Sequence, residues 1–310
     1  MKRTIFMGTP EFAVPSLKVT LESTDLAAVF TQPDKKRGRG QKISASPVKE
    51  FAIEHGIEVL QPDKLRNSES IDLVRKFEPD LIIVVAYGKI LPHEILEIPR
   101  FGCINVHGSI LPKYRGAAPM QWALINGERS TGITTMKMDV GLDTGDILLQ
   151  REIEINSETT LEELHDQLKI LGAEVLKETI DNLESIQPRK QIDSDATYSQ
   201  MITKETQKIS WKKSAWEVHN LIRALDSHPG AISNFKSRDG KLETLKIWKS
   251  RVVDNEIPHE DPGKILKQDG FYVATGAGAL EILEIQAQGS RRMPIRDFLR
   301  GHDLSGGVFE

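Results

Sequence analysis

The first half of the chain alternates short, wholly apolar runs with longer stretches in which apolar residues recur every three or four positions. That alternation predicts strands joined by crossover helices: an α/β, Rossmann-like, open twisted sheet, mostly parallel, with helices on both faces. Residues 4–8 and 26–31 read as strands, and residues 81–87 are apolar throughout, as a central strand covered on both sides should be. Residues 104–107 form a further short strand that ends in a glycine-containing loop. Ser46-Pro47 opens a helix that Gly56 closes, each residue standing where its backbone preference favours it. Thr160-Leu-Glu-Glu163 has the residues of a capping box. Leu161, Leu164, Leu168, Leu171, Val175 and Ile180 then keep a helical spacing, which predicts one long helix.

Residues 187–206 break the pattern, being polar and without apolar period. The expected organisation is a catalytic domain over 1–188, a linker over 189–206 and a smaller domain over 207–310. In that last part a helix opened by Ser214-Ala-Trp-Glu217 precedes strand-like runs separated by Arg238-Asp-Gly240, Gln268-Asp-Gly270 and Gly276-Ala-Gly278. This predicts a small β-barrel, the oligonucleotide/oligosaccharide-binding (OB-like) type being one option.

Composition narrows the class. The chain has 310 residues, 39% hydrophobic and 28% charged, the balance of an ordinary globular protein with room for two domains. The longest apolar run, residues 81–87, is far short of the roughly 18 residues a membrane span needs, and residues 1–20 lack the apolar core of a signal peptide. A single cysteine, Cys103, permits no internal disulfide. The expectation is a cytoplasmic protein with no membrane partner. Net charge is −4, which does not suggest nucleic-acid binding by the chain as a whole. Residues 1–200, however, carry 24 basic and 30 acidic side chains, and residues 201–310 carry 17 and 15. One cluster stands apart: Lys35, Lys36, Arg37, Arg39, Lys42 and Lys49, with Gly38 and Gly40 interleaved and Asp34 the only acid.

Common catalytic signatures are missing: no G-x-S-x-G elbow, Walker loop or H-E-x-x-H. Gly8-Thr-Pro-Glu11 lacks the dinucleotide spacing, so NAD is not expected, nor is a metal. Cys103 reads as a buried core thiol. What remains is Asn105-Val-His107-Gly-Ser109-Ile-Leu-Pro112 at a strand end, where ligands collect in open α/β sheets. Asn105 and His107 are two apart and face one side of the strand, so an amide and an imidazole can both reach one reacting carbonyl. Met138-Asp-Val-Gly-Leu-Asp143-Thr-Gly-Asp146 is a glycine-rich loop between two strands, able to set one of its three acids beside the histidine. Read singly, His107 is equally a hydrogen-bonded strand-end residue, and Asp143 is ordinary turn chemistry.

Together these segments resemble the folate-dependent formyltransferase family. The resemblance runs along nearly the whole chain, through Phe6-Met-Gly-Thr-Pro-Glu-Phe-Ala13, Gln32-Pro-Asp34 with Gly38-Arg-Gly40, Val84-Val-Ala-Tyr-Gly88, residues 105–112, Arg115-Gly-Ala-Ala-Pro119 and residues 138–146. Asn-x-His with Gly-x-Asp-Thr-Gly marks the broad family. The opening segment, the basic loop and the C-terminal part mark its tRNA-directed branch. Ile110 is a mild departure that removes no functional residue type.

The resemblance implies transfer of a formyl group from 10-formyltetrahydrofolate to the α-amine of methionine charged on initiator tRNA. It also implies that Asn105, His107 and Asp143 are catalytic and that Ser109, Ile110, Leu111 and Pro112 contact folate. An α-amine that titrates near 8 can attack at neutral pH without a covalent enzyme intermediate. Charge then grows on the formyl oxygen, where Asn105 and His107 can donate. Lys35, Lys36, Arg37, Arg39 and Lys42 are expected to meet RNA phosphates from a flexible loop, and Phe12 either lines a methionine pocket or is a buried helix aromatic. Lys212, Lys213, Lys246, Lys249, Arg291 and Arg292 are the expected RNA contacts of the C-terminal part. Two rivals stay open: a formyltransferase acting on an amino sugar or glycinamide ribonucleotide, and a catalytically silent RNA-binding module.

Overall fold

The computed structural model describes residues 1–37, 42–253, 260–267 and 270–310, in two compact units. The first comprises Met1–Ala117, Thr131–Ile153 and His165–Ser199; the second Ala118–Ser130, Glu154–Leu164 and Gln200–Glu310.

In the first unit seven strands form one sheet, in the order Ile147–Glu154, Ser130–Lys137, Cys103–His107, Leu81–Val85, Arg3–Gly8, Asp25–Phe30, Val59–Leu60. Pairing is parallel from Cys103–His107 across to Val59–Leu60, and antiparallel between Cys103–His107 and Ser130–Lys137. The expected strands are present with ends shifted by one or two residues, and Leu81–Val85 is buried at every position. The chain fills the sheet to one side of Arg3–Gly8 and then to the other. The order therefore reverses beside that strand, and at such a reversal open α/β sheets form a crevice at the carboxyl ends of the strands. Register fixes what lines it: Gly8 pairs with Val85, and Val84 pairs with Asn105.

Helix signals were local and strong enough to survive folding. The Ser46 hydroxyl accepts the Lys49 N–H at 3.1 Å and starts Pro47–Glu54. Thr160 and Glu163 exchange the two bonds of a capping box ahead of Leu161–Asp181, and all six of its spaced apolar residues are buried. On one face of the sheet Ile5, Met7, Phe30, Ile82 and Val84 pack with Ile71, Val74 and Phe77. Cys103 lies in that layer at 1% exposure, and burial pushes its thiol up to about 12 against an opposing pull from Lys137, which suits a core thiol.

The second unit is a nearly closed antiparallel barrel-like sheet with the helix Ala215–Ala224. Its strands run Ile265–Lys267, Phe271–Ala274, Ala279–Ala287, Leu242–Val253, Ala231–Lys236, Val308–Phe309, with Met293–Pro294 added on Ala279–Ala287. Closure comes from Lys264 bridging Val308 and from the Phe309 N–H, which donates to Gly263 O at 2.9 Å. Each glycine turn foreseen in the sequence joins two paired strands, although Gln268 and Asp269 lie outside the described residues. Trp211, Phe235 and Phe271 surround Phe309 at ring-centroid distances of 5.1–6.2 Å. No helix among the described residues is long and apolar enough to cross a membrane.

Within residues 187–206 the first unit ends at Ser199 and the second resumes at Gln200. The part before that point is bonded to the first unit, once at the sheet and once in a separate two-stranded pair. Arg189 bridges Ile147, and Tyr198–Ser199 pairs with Arg115–Gly116.

Candidate active site

The strand Cys103–His107 delivers Asn105 and His107 to the crevice. His107 is only 6% exposed. Its Nε2 lies 2.9 Å from Tyr114 O, and because a carbonyl only accepts, Nε2 carries a proton. Nδ1 is therefore the ring atom left to face Asp143, whose Oδ2 stands 3.7 Å away, an electrostatic contact longer than a hydrogen bond. Asn105 is half-buried, and its carboxamide has no hydrogen-bond partner among the described residues. A strand end has thus brought together an unengaged amide and a histidine whose one open nitrogen is covered by a carboxylate.

Asp143 is held in place by its surroundings. Its φ of +54° is a left-handed conformation uncommon for a residue with a side chain. The same Oδ2 accepts the Gly116 N–H at 2.8 Å. Gly116 has φ +114°, and a Cβ there would lie 2.5 Å from Ser199 O, so only glycine fits. Gly116→Ala is expected to lower the melting temperature and to cut turnover at least about tenfold by pulling that N–H off Asp143. Thermal melts and initial rates check this, and an unchanged rate would show that the contact has no part in catalysis. The rest of the loop is tied by Asp139 Oδ1, which accepts from Gly141 N and Thr144 Oγ1 at 3.0 and 2.6 Å.

Of the four expected folate residues, Ser109 and Leu111 are buried, at 0% and 2% exposure, and serve the loop itself. Ser109 Oγ donates to Lys113 O at 2.6 Å, and Thr134 Oγ1 ties the two by donating to Ser109 O and accepting the Leu111 N–H. Ile110 and Pro112 remain partly exposed. Across the crevice, Gln32 Nε2 donates to Tyr87 O and Gly88 O at 3.1 and 3.2 Å, and Thr9 Oγ1 donates to Tyr87 O, fixing three segments of the motif set to one another. Phe12 is buried at 6% exposure and packs on His165 with centroids 5.4 Å apart.

The basic loop has more structure at its ends than a flexible loop. Lys35–Arg37 and Lys42–Ser44 form an antiparallel ladder in which Lys36 pairs with Ile43 and Arg37 with Lys42; charge had masked the strand signal. Arg39 lies outside the described residues. Lys49 Nζ meets Asp34 Oδ2 at 2.6 Å and Gln61 Oε1 at 2.8 Å. Those bonds, Lys49 first and Gln61 second, hold the Asp34 carboxyl below its ordinary range. In the second unit Arg292 is paired with Asp226 and Glu284, and Lys246 donates to Pro229 O. Lys212, Lys249 and Arg291 are exposed and have no ion pair among the described residues.

Sequence reasoning missed Arg115, Gln191 and Gly116 as parts of the site. Arg115 lay within a quoted motif without a role, and Gln191 lay in the stretch set aside as a linker.

The family model described as formyl transferase matches residues 2–180, and that described as formyl transferase, C-terminal domain, matches residues 201–303. The chain belongs to the formyl transferase family. Among curated relatives, the methionyl-tRNA formyltransferase of Caldanaerobacter subterraneus subsp. tengcongensis is 54% identical over 311 residues, covering 99% of either chain. The methionyl-tRNA formyltransferase of Acetivibrio thermocellus is 50% identical over 98% of each. Among solved structures, the sugar 3N-formyl transferase WlaRD has a TM-score of 0.68 at 23% identity, over 94% of this chain and 99% of that one. HypX from Aquifex aeolicus, in complex with tetrahydrofolic acid, has a TM-score of 0.61 at 20% identity, over 98% of this chain and 48% of that one. At these identities the structures share the fold.

Proposed function

We propose that this chain transfers the formyl group of 10-formyltetrahydrofolate to the α-amine of methionyl-tRNA, for translation initiation, with Asn105, His107 and Asp143 as its catalytic residues. The observation that carries the chemistry is the meeting of His107 and Asp143, 3.7 Å apart, beside the unengaged Asn105 amide. The relatives of 50–54% identity supply the acceptor.

The neutral amine attacks the formyl carbon, a new N–C bond forms, and the oxygen takes up negative charge. The Asn105 amide donates to that oxygen from a fixed position, which strengthens as the charge develops. Collapse breaks the bond to folate N10. The proton lost by the amine reaches the departing nitrogen by way of His107 Nδ1 and Asp143, since Nε2 is engaged by Tyr114 O. Residues 109–112 hold folate mainly through Ile110, Pro112 and backbone, Ser109 and Leu111 being buried. Lys35, Lys36, Arg37, Arg39 and Lys42 engage acceptor-end phosphates, with Lys212, Lys249 and Arg291 adding backbone contacts. We assign catalysis to residues 1–188 and tRNA positioning to 207–310.

An amino-sugar acceptor is the nearest rival, because it needs the same trio. A mixture of charged initiator tRNA and a nucleotide-linked amino sugar, each at micromolar concentration with one formyl donor, separates the two readings. We expect formyl on the tRNA-borne methionine at a rate at least about 1,000-fold above that on the sugar, a margin within reach of a site built around its acceptor's polar groups. Comparable rates would refute tRNA as the acceptor.

A further inference from the structure

We propose that Gln191 is a positioning residue for formyl transfer: with buried Arg115 behind it, it clamps the backbone of the Asp143 loop so that the carboxylate faces His107. The inference rests on the reading of Asp143 as catalytic.

Arg115 heads the fully buried large side chains, at 1% exposure. Its Nε and Nη2 both donate to Gln191 Oε1, at 3.0 and 2.9 Å, and Nη2 also donates to Asp193 Oδ1 at 2.8 Å. Gln191 Nε2 in turn donates to Asp143 O at 2.7 Å and Gly145 O at 2.8 Å. The amide has one orientation only, because a guanidinium only donates and a carbonyl only accepts. Both N–H groups of Gln191 and both lone pairs of its oxygen are thereby used. The guanidinium charge on Oε1 polarises the amide and strengthens its N–H donors.

Asp143 sits at φ +54°, a conformation that persists only where neighbours impose it. Three features do so. Gly116 N holds the carboxylate, Gln191 holds the backbone oxygen, and Gly145 is wedged where a Cβ would lie 1.8 Å from Lys137 O. The first two trace to the adjacent residues Arg115 and Gly116, so one short strand sets both ends of Asp143. Gln191 touches neither reacting group. It also lies between the two family-model matches, so family membership assigns it nothing.

The test is a double-mutant cycle in the full chain, assayed with charged tRNA and formyl donor at saturation. Gln191→Met keeps the side chain's length and loses all four hydrogen bonds. It is expected to lower kcat by about 10- to 100-fold, the loss that a small misplacement of a catalytic group brings, with KM for either substrate within about threefold. In an Asp143→Asn background the same change is expected to cost no more than about threefold, because the carboxylate it places is already gone. Gln191→Glu keeps a partner for Arg115, so the fold is retained if Gln191→Met does not fold, yet offers no N–H to the loop. It is expected to lower kcat at least about tenfold with the same dependence on Asp143. Equal fold-losses in both backgrounds, or native kcat for a folded variant, would overturn the proposal while leaving Asp143 catalytic. Native turnover of Asp143→Asn alone would instead remove the reading beneath it.

Discussion

His107→Ala, Asn105→Ala and Asp143→Asn are each expected to lower turnover about 100-fold or more, with affinity for charged tRNA staying within about twofold. The magnitude follows from the position of these groups. Loss of one fixed donor to a developing oxyanion typically costs 10²-fold or more, and in the proposed mechanism His107 and Asp143 also carry the proton that must pass from amine to folate. Selectivity for rate over binding follows from location, since all three lie at the crevice and none belongs to a basic patch. The His107 and Asp143 losses should be strongly non-additive, because the proposed proton path runs through both; the double variant is expected to lose little more than the worse single one. Rates under saturating substrates and filter-binding affinities decide the matter. A folded single variant with near-native turnover would remove that residue from the mechanism.

The second large effect falls on tRNA rather than on chemistry. Replacing Lys35, Lys36, Arg37, Arg39 and Lys42 together by glutamine is expected to lower kcat/KM for charged tRNA by about 10²-fold or more at physiological salt. Folate binding should not change. The dependence of log affinity on log salt should flatten by roughly one for every phosphate that is no longer neutralised. Lys49 is left in place as the internal control: its bonds to Asp34 and Gln61 make it part of the hairpin's footing, and removing it would alter structure as well as charge. An unchanged salt slope would make the cluster a solvated surface and place tRNA recognition elsewhere.

The features legible in the sequence are those written locally. The apolar run at 81–85 is a central strand because nothing polar interrupts it, and the turns at Gly240 and Gly278 join strands because their glycines take φ of +86° and +84°. Caps at Ser46, Thr160 and Ser214 start helices by bonds that span three residues. The pairing of Asn105 with His107 was legible for the same reason, since strand geometry alone sets their common side. Asp143 needed the family resemblance, because it lies 36 positions beyond His107, past two strands and a helix. Gln191 was invisible: its partners Arg115 and Asp143 lie 76 and 48 residues away. Nothing in a polar stretch without period points to them. The sequence did not show that Ser109 would be buried, because the groups that engage it, Lys113 O and Thr134, are set by the fold.

Donor, acceptor and catalytic histidine are all put at risk together by a single turnover with 10-formyltetrahydrofolate carrying an isotopic label in its formyl group, excess enzyme and methionyl initiator tRNA. The label is predicted to appear as N-formylmethionine on the tRNA in step with loss of the folate donor. His107→Ala should slow both together by about 100-fold. Donor consumed without label on the methionine amine, or label transferred equally well by His107→Ala, would contradict formyl transfer by this site.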